Sequence, residues 1–133
     1  MQEPHLFEYA VIRVVPHVER GEFLNVGVIL YCPSERFLQC VTEIDEERLK
    51  VLCEDMDFHE LRKHIQSFER ICAGARDSGR IGQLTMPERF RWLTAARSTI
   101  VQTSSVHPGL CTNAREKLAS LYQQLVVKPK PAC

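Results

Sequence analysis

The chain has 133 residues, of which 44% are hydrophobic and 26% charged, and its formal net charge is zero. These values are typical of a soluble globular protein and predict a single domain over residues 1–127, followed by a disordered tail at 128–133. The apolar runs fall short of the roughly 20 residues that span a bilayer, and the first residues lack the features of a secretion signal. We therefore expect a cytoplasmic protein that does not associate with membranes.

The first elements in chain order are three strands. Residues 8–15 and 23–32 are rich in β-branched and aromatic side chains, and Pro16 and Pro33 end the two runs. A tight turn then leads into a third strand at 36–44. The first third of the chain is thus predicted to form an antiparallel sheet.

Helices follow, and their N-terminal caps are visible in the sequence. Asp45 is predicted to cap a short helix over 46–54, and capping-box patterns at 57–60 and 85–88 precede two further helices. Their apolar residues recur at spacings of three and four, as in a helix with one buried face.

The C-terminal part contains a fourth predicted strand at 98–104, a turn at 105–109 and a last helix capped by Thr112. Three strands, helices, a further strand and a helix predict an α+β fold. We expect a mostly antiparallel sheet of about four strands, with the helices packed on one face.

The six cysteines are scattered along the chain, at positions 32, 40, 53, 72, 111 and 133. They form no C-x-x-C pair, and no histidine stands at ligand spacing from a cysteine pair, so a structural zinc site has little support. In a chain without an export signal, reduced and buried thiols are expected. We therefore predict no metal and no cofactor.

Two polar side chains, Arg13 and Asn25, interrupt the apolar runs of the first two strands. Side chains alternate between the faces of a strand, and the even-numbered positions of both strands are apolar, so this face is expected under the helices. A symmetric antiparallel register places Arg13 opposite Asn25, with Gly27 on the same, odd-numbered face. Glu19 and Glu22 are expected nearby, at the end of the hairpin.

Two interpretations of the odd-numbered face stay open. In the structural interpretation, Arg13 forms an ion pair with Glu19 or Glu22, and Asn25 bonds to the backbone of a loop. In the functional interpretation, the fork of the arginine, an amide that both donates and accepts, and the bare Gly27 bind a carboxylate or phosphate group.

Three segments form a signature: Y-x-x-x-R-x-x-P from residue 9, E-R-G-E-F-x-N-V-G-V-I-L from residue 19, and R-S-T-x-x-Q-x-S from residue 97. With this signature the chain resembles, over nearly its whole length, a family of small bacterial proteins catalogued as a domain of unknown function. The resemblance implies a bacterial, cytoplasmic and uncharacterised protein, and it suggests a HipA-type kinase as a partner. It implies no catalytic residue.

The resemblance also suggests that the first two signature segments, in the N-terminal hairpin, share one site with the third, which begins at Arg97. If the fourth strand lies in the same sheet, Arg13 and Arg97, with Ser98 and His107 beside them, are expected to bind an anion. The alternative for Arg97 is a cation that stabilises the C-terminus of the preceding helix. For Ser98, a hydrogen bond that satisfies the backbone at a strand end is the alternative to a ligand contact.

We expect a non-catalytic interaction module that presents the odd-numbered face to a partner protein or a phosphorylated ligand. Whether the protein is an enzyme stays open. A metal-dependent phosphodiesterase or nuclease is one alternative, in which Glu19, Glu22 and His107 supply acid/base or metal-binding groups.

The other alternative is a protein that binds single-stranded nucleic acid. The segment 76–97 is rich in arginine and includes Phe90 and Trp92, and basic residues interleaved with aromatic ones bind single strands by charge and stacking. The zero net charge of the chain makes this alternative less favourable.

Overall fold

Two apolar runs on either side of a charged turn pair as the central hairpin of a five-stranded antiparallel sheet. The computed structural model describes residues 3–127, and its strands are β1 (His5–Val14), β2 (Leu24–Cys32), β3 (Phe37–Thr42), β4 (Val101–Thr103) and β5 (His107–Cys111). The order across the sheet is β3, β2, β1, β4, and β5 also pairs with β1. β1 is therefore the central strand, with β2 along one side and β4 and β5 in succession along the other.

The helices begin where the sequence predicts caps. They are α1 (Glu46–Leu52), α2 (Phe58–Ala73), α3 (Gly79–Gly82), α4 (Met86–Leu93) and α5 (Ala114–Leu125). The side chains of Asp45 and Asp57 each accept a hydrogen bond from a backbone amide three residues further on, and Thr85 forms a capping box with Glu88. Over residues 3–127, no helix combines the length and the apolar character that crossing a membrane requires.

The helices bury both faces of the sheet. α1, α2 and α4 cover the face that carries Ala10, Ile12 and Val14 of β1. α5 covers the opposite face, where Phe7 and Leu30 pack against its apolar stripe. The α+β class and the antiparallel sheet are confirmed, whereas the helices occupy two faces because the second face of the hairpin is also largely apolar.

A β-bulge changes the register of the central hairpin. Arg13 pairs with Asn25, as predicted, but Ile12 pairs with Gly27, so Val26 is an extra residue of β2. From Gly27 to the end of β2, the even-numbered side chains of β2 share a face with the odd-numbered side chains of β1. The prediction that even-numbered positions of both strands lie on one face is therefore wrong.

The C-terminal part differs from the sequence prediction in two places. Residues at 105–109, predicted as a turn, belong largely to β5, because β1 starts already at His5 and offers a free edge for pairing. The side chain of Asn113, rather than that of Thr112, caps α5. The predicted tail at 128–133 lies outside the described residues.

Candidate functional site

A row of three polar side chains crosses three strands at one end of the sheet. Arg13 of β1 is the cross-strand partner of Asn25 on β2 and of Gln102 on β4, so the three side chains lie on the same face. This face is the one that α5 covers, and Asn25 Nδ2 donates to the carbonyl of Leu125, at the C-terminus of α5, over 3.1 Å. We call Asn25, Arg13 and Gln102 the polar row.

Asn25 interrupts its apolar strand because its amide caps a helix. The last carbonyls of a helix have no partner within the helix, and a side-chain donor from another element satisfies one of them here. Arg48 makes a similar contact, from Nη1 to the carbonyl of Val126 at 3.3 Å. The other polar atom of the Asn25 amide, Oδ1, is buried and has no hydrogen-bond partner among residues 3–127.

Arg13 stacks on an aromatic ring and forms no ion pair with any of residues 3–127. Its Cζ atom lies 4.0 Å from the centroid of the Phe23 ring, which is 44% exposed. Arg13 Nε is buried without an acceptor, and within residues 3–127 no carboxylate pairs with this guanidinium. An unsatisfied buried donor costs about 1–3 kcal/mol, so an acceptor that reached Arg13 would recover that free energy.

The two acidic residues of the hairpin turn pair with basic residues of the same turn instead of with Arg13. Arg20 Nε lies 2.5 Å from Glu22 Oε1, and His17 Nδ1 lies 3.9 Å from Glu19 Oε1. The hydrogen bond and the charge of Arg20 lower the pKa of Glu22. The structural interpretation, in which Arg13 pairs with Glu19 or Glu22, is therefore not what the structure contains.

Gly27 is not part of the polar row. The bulge turns it toward the opposite face, where a Cβ atom would lie 2.5 Å from the Val41 carbonyl oxygen and 3.2 Å from Ile12 Cδ1. The prediction that Gly27 leaves backbone uncovered beside Arg13 is wrong. A glycine is required here by the close approach of β3.

Arg97 lies on the other side of the sheet from Arg13. It stacks on Trp92, with Cζ 4.1 Å from the ring centroid, and donates from Nη2 to the Trp92 carbonyl near the end of α4. Partial burial lowers its pKa. With Trp92, His64 and Val101 it lines a groove between α2 and α4, on the face that carries Val14. The structure thus does not bring the two arginines together, and Arg97 takes the alternative role of a cation at a helix C-terminus.

Ser98 and His107 also stand apart from Arg13. Ser98 is exposed in the segment before β4. His107 is exposed on β5 and stacks on Tyr9, with ring centroids 5.4 Å apart. Tyr9 shares its face with Arg13, but four residues along a strand span about 13 Å. His107 and the glutamates of the hairpin turn therefore do not form one acid/base or metal-binding group.

The arginine-rich segment offers less surface for base stacking than its sequence suggests. Phe90 is only 3% exposed, within the core below α4. Arg89 donates from Nη1 to the Leu84 carbonyl at 2.6 Å, and its guanidinium packs against Gly74. Trp92 remains at the surface, covered on one side by Arg97.

Sequence reasoning missed one cluster, at the N-terminus of α5. His5 of β1, Cys32 of β2 and Glu35 of the following turn bring a nitrogen, a sulfur and an oxygen within 4.8 Å of one another. Burial, followed by the nearby Cys32 and Glu35, raises the pKa of Cys111, so this thiol adjoins the cluster. The residues come from separate strands, and the only local signal was the short Cys32-x-x-Glu35 spacing.

Comparison with known protein families identifies the chain. Residues 9–126 match the family described as "Protein of unknown function (DUF3037)", a segment that includes the whole polar row. No curated protein and no solved structure matches the chain. Because the matched segment covers most of the sequence, the chain belongs to the DUF3037 family.

Proposed function

We propose that the protein is a non-catalytic interaction module that binds a carboxylate or phosphate group of a partner protein at Arg13. The observation that carries the proposal is the guanidinium of Arg13, which stacks on Phe23 and has no carboxylate partner within the described residues. A planar guanidinium matches a carboxylate or phosphate group through two parallel hydrogen bonds.

Five other arginines of the chain support this assignment by contrast. Arg20, Arg62 and Arg70 each pair with a carboxylate on the protein surface. Arg89 and Arg97 donate to backbone carbonyls. These side chains have roles within the fold. Arg89 also has a buried, unpaired Nε, but its guanidinium is held by the Leu84 carbonyl, whereas no such contact within residues 3–127 holds the guanidinium of Arg13.

The amides on either side of Arg13 add a second type of contact. Asn25 Oδ1 is buried and unpaired, so it is an acceptor beside a cationic donor. Gln102, which donates from Nε2 to the Thr99 carbonyl at 2.8 Å, completes the row. Such a set suits an oxyanion with a hydrogen-bond donor next to it, such as a phosphorylated or acidic residue and its backbone N–H.

The alternatives have weaker support. A metal-dependent phosphodiesterase would need Glu19, Glu22 and His107 in one place, and they are apart. A nucleic-acid binder would need exposed aromatic side chains among the arginines, but Phe90 is buried and Arg97 covers one side of Trp92. The proposal includes a cytoplasmic location, with which the five unpaired thiols of the described residues agree.

An affinity purification tests the proposal. Tagged wild-type protein, Arg13→Gln and the control Arg20→Gln are expressed in the native cells, and bound proteins are identified by mass spectrometry. We expect one stoichiometric partner with the wild type and with Arg20→Gln, and at least tenfold less of it with folded Arg13→Gln. The HipA-type kinase suggested by the family resemblance is one partner that this experiment would detect.

Two results would contradict the proposal. The partner could be retained by Arg13→Gln, which would remove Arg13 from the interface. It could also be lost equally from Arg20→Gln, which would indicate a general dependence on surface charge rather than a site.

A further inference from the structure

We propose that His5, Cys32 and Glu35 form a binding site for a divalent transition-metal ion of the zinc type. The site is separate from the polar row, because it lies at the other end of β1. His5 also precedes the residues matched by the family, so the site is proposed for this chain and not for the family.

The three ligand atoms of the cluster lie within 4.8 Å of one another. His5 Nδ1 lies 2.9 Å from Glu35 Oε2, and the Cys32 sulfur lies 3.7 Å from the same oxygen. Zn²⁺ holds nitrogen and oxygen at about 2.0–2.2 Å and sulfur at about 2.3 Å, so the ligand atoms of a tetrahedral site lie about 3.3–3.7 Å apart. Small rotations of His5 and Glu35 would therefore admit an ion between the three atoms.

The donor set selects the kind of ion. One imidazole, one thiolate and one carboxylate suit zinc and its neighbours, whereas calcium and magnesium prefer oxygen ligands. The three side chains leave one position of a tetrahedron open. Cys111 is the cross-strand partner of His5 and its thiol neighbours Cys32 and Glu35, but it is not among the three residues whose ligand atoms lie within 4.8 Å of one another.

Backbone groups of the fold contact two of the proposed metal ligands, Cys32 and Glu35. Cys32 is fully buried, and its thiol lies 3.6 Å from the Leu6 carbonyl. Glu35 Oε2 accepts a hydrogen bond from the Ala114 amide at 3.0 Å, which ties the carboxylate to the first turn of α5. Contacts of this kind orient the ligands of metal sites. The His5 and Glu35 side chains are 33% and 26% exposed, so an ion reaches them from solvent.

Binding requires the loss of one proton. The Cys32 thiol releases H⁺ to solvent as its sulfur binds the metal, while His5 binds through a neutral nitrogen and Glu35 is already ionised. The two negative charges of the ligands then balance the charge of the dication.

Cobalt is the probe for the test. Metal-free full-length protein is titrated with Co²⁺, whose bond to a thiolate gives a charge-transfer band in the near ultraviolet, and Zn²⁺ is then added as a competitor. We expect a band that saturates at one equivalent and is removed by Zn²⁺. Cys53→Ser is the matched control, because the Cys53 thiol also lies near a carboxylate, 3.3 Å from Asp55, but has no histidine beside it.

The variants decide the outcome. Cys53→Ser should keep the band, Cys32→Ser should lose it, and Glu35→Gln should weaken binding at least tenfold. If Cys32→Ser does not fold, the partly exposed His5→Gln replaces it, with the same expected tenfold weakening. Absence of a saturable band in the wild type, or an unchanged band in the variants of the cluster, would overturn the proposal.

Discussion

The two ends of α5 contact the same face of the sheet, but the side chains that bind them differ: an acceptor binds the N-terminus, and donors bind the C-terminus. At its N-terminus, the Glu35 carboxylate accepts from the Ala114 amide and lies beside His5. At its C-terminus, Asn25 and Arg48 donate to the last carbonyls. Both arrangements complement the helix dipole, with a negative group at the start and donors at the end.

The difference lies in what remains unpaired. In the cluster at the N-terminus, each polar side chain contacts another one or the backbone. In the polar row at the C-terminus, Arg13 Nε and Asn25 Oδ1 are buried without partners in the described part of the chain. Paired polar groups stabilise the fold, whereas unpaired ones cost free energy until a ligand arrives. Of the four substitutions that follow, the first tests the β-bulge that removes Gly27 from the polar row, and the other three test this contrast.

Gly27→Val should have the largest effect on stability. Its side chain would meet the Val41 carbonyl, a backbone atom that cannot turn away, and we expect a loss of about 2–3 kcal/mol in the free energy of unfolding. Urea denaturation measures the loss. If the variant kept its stability and lost partner binding instead, Gly27 would face the ligand and the bulge would be wrongly placed.

Glu35→Gln should cost about 2 kcal/mol at neutral pH, because it removes the charge that both His5 and the α5 N-terminus favour. The hydrogen bond from His5 is the main cause that lowers the pKa of Glu35. A folded-state pKa below the unfolded value of about 4.3 gives stability that is present above that value. The same stability is lost as the pH falls through the folded-state pKa.

Urea denaturation of the wild type and Glu35→Gln at neutral and acidic pH measures this dependence. The difference between them should shrink in acid. Glu116→Gln, in the first turn of α5, is the control and should change little. A difference that persisted below the folded-state pKa of Glu35 would contradict an ionised carboxylate stabilised by His5 and the α5 N-terminus.

Asn25→Ala should cost about 1 kcal/mol, the typical value of a hydrogen bond between a side chain and a backbone carbonyl. The matched control is Gln124→Ala, an exposed amide on α5. The two are compared by urea denaturation. Equal stability of both variants would show that Asn25 does not hold the C-terminus of α5.

Arg13→Gln should have the smallest effect, a change below about 1 kcal/mol, because the substitution removes only the stacking of the guanidinium on Phe23. Removal of an unpaired buried donor offsets part of even that loss. Thermal unfolding of Arg13→Gln and Arg20→Gln provides the comparison. A loss of several kcal/mol from Arg13→Gln alone would make Arg13 a structural residue.

The features that the sequence predicted well are local ones. Asp45, Asp57 and Thr85 mark the starts of α1, α2 and α4 because a cap depends on residues only a few positions away. The pairing of Arg13 with Asn25 was also predicted, because a short connection restricts the register near the turn.

The features that could not be predicted from the sequence depend on interactions between distant segments. The bulge at Val26 does not follow from alternation, and it moved Gly27 to the other face. Pro108 and Gly109 resemble a turn, yet they extend along the free edge of β1. The His5 cluster combines residues from two strands and a turn, a combination that spacing rules for metal ligands do not include.

The side-chain Nε–Hε resonance of Arg13, followed by NMR during titration with inorganic phosphate and separately with acetate, tests the central claim most directly. Arg89 is an internal control, because its Nε is also buried and unpaired but its guanidinium is held by the Leu84 carbonyl. We predict a saturable shift of the Arg13 resonance and none for Arg89. An unchanged Arg13 resonance, or parallel shifts of both, would contradict an oxyanion site at Arg13.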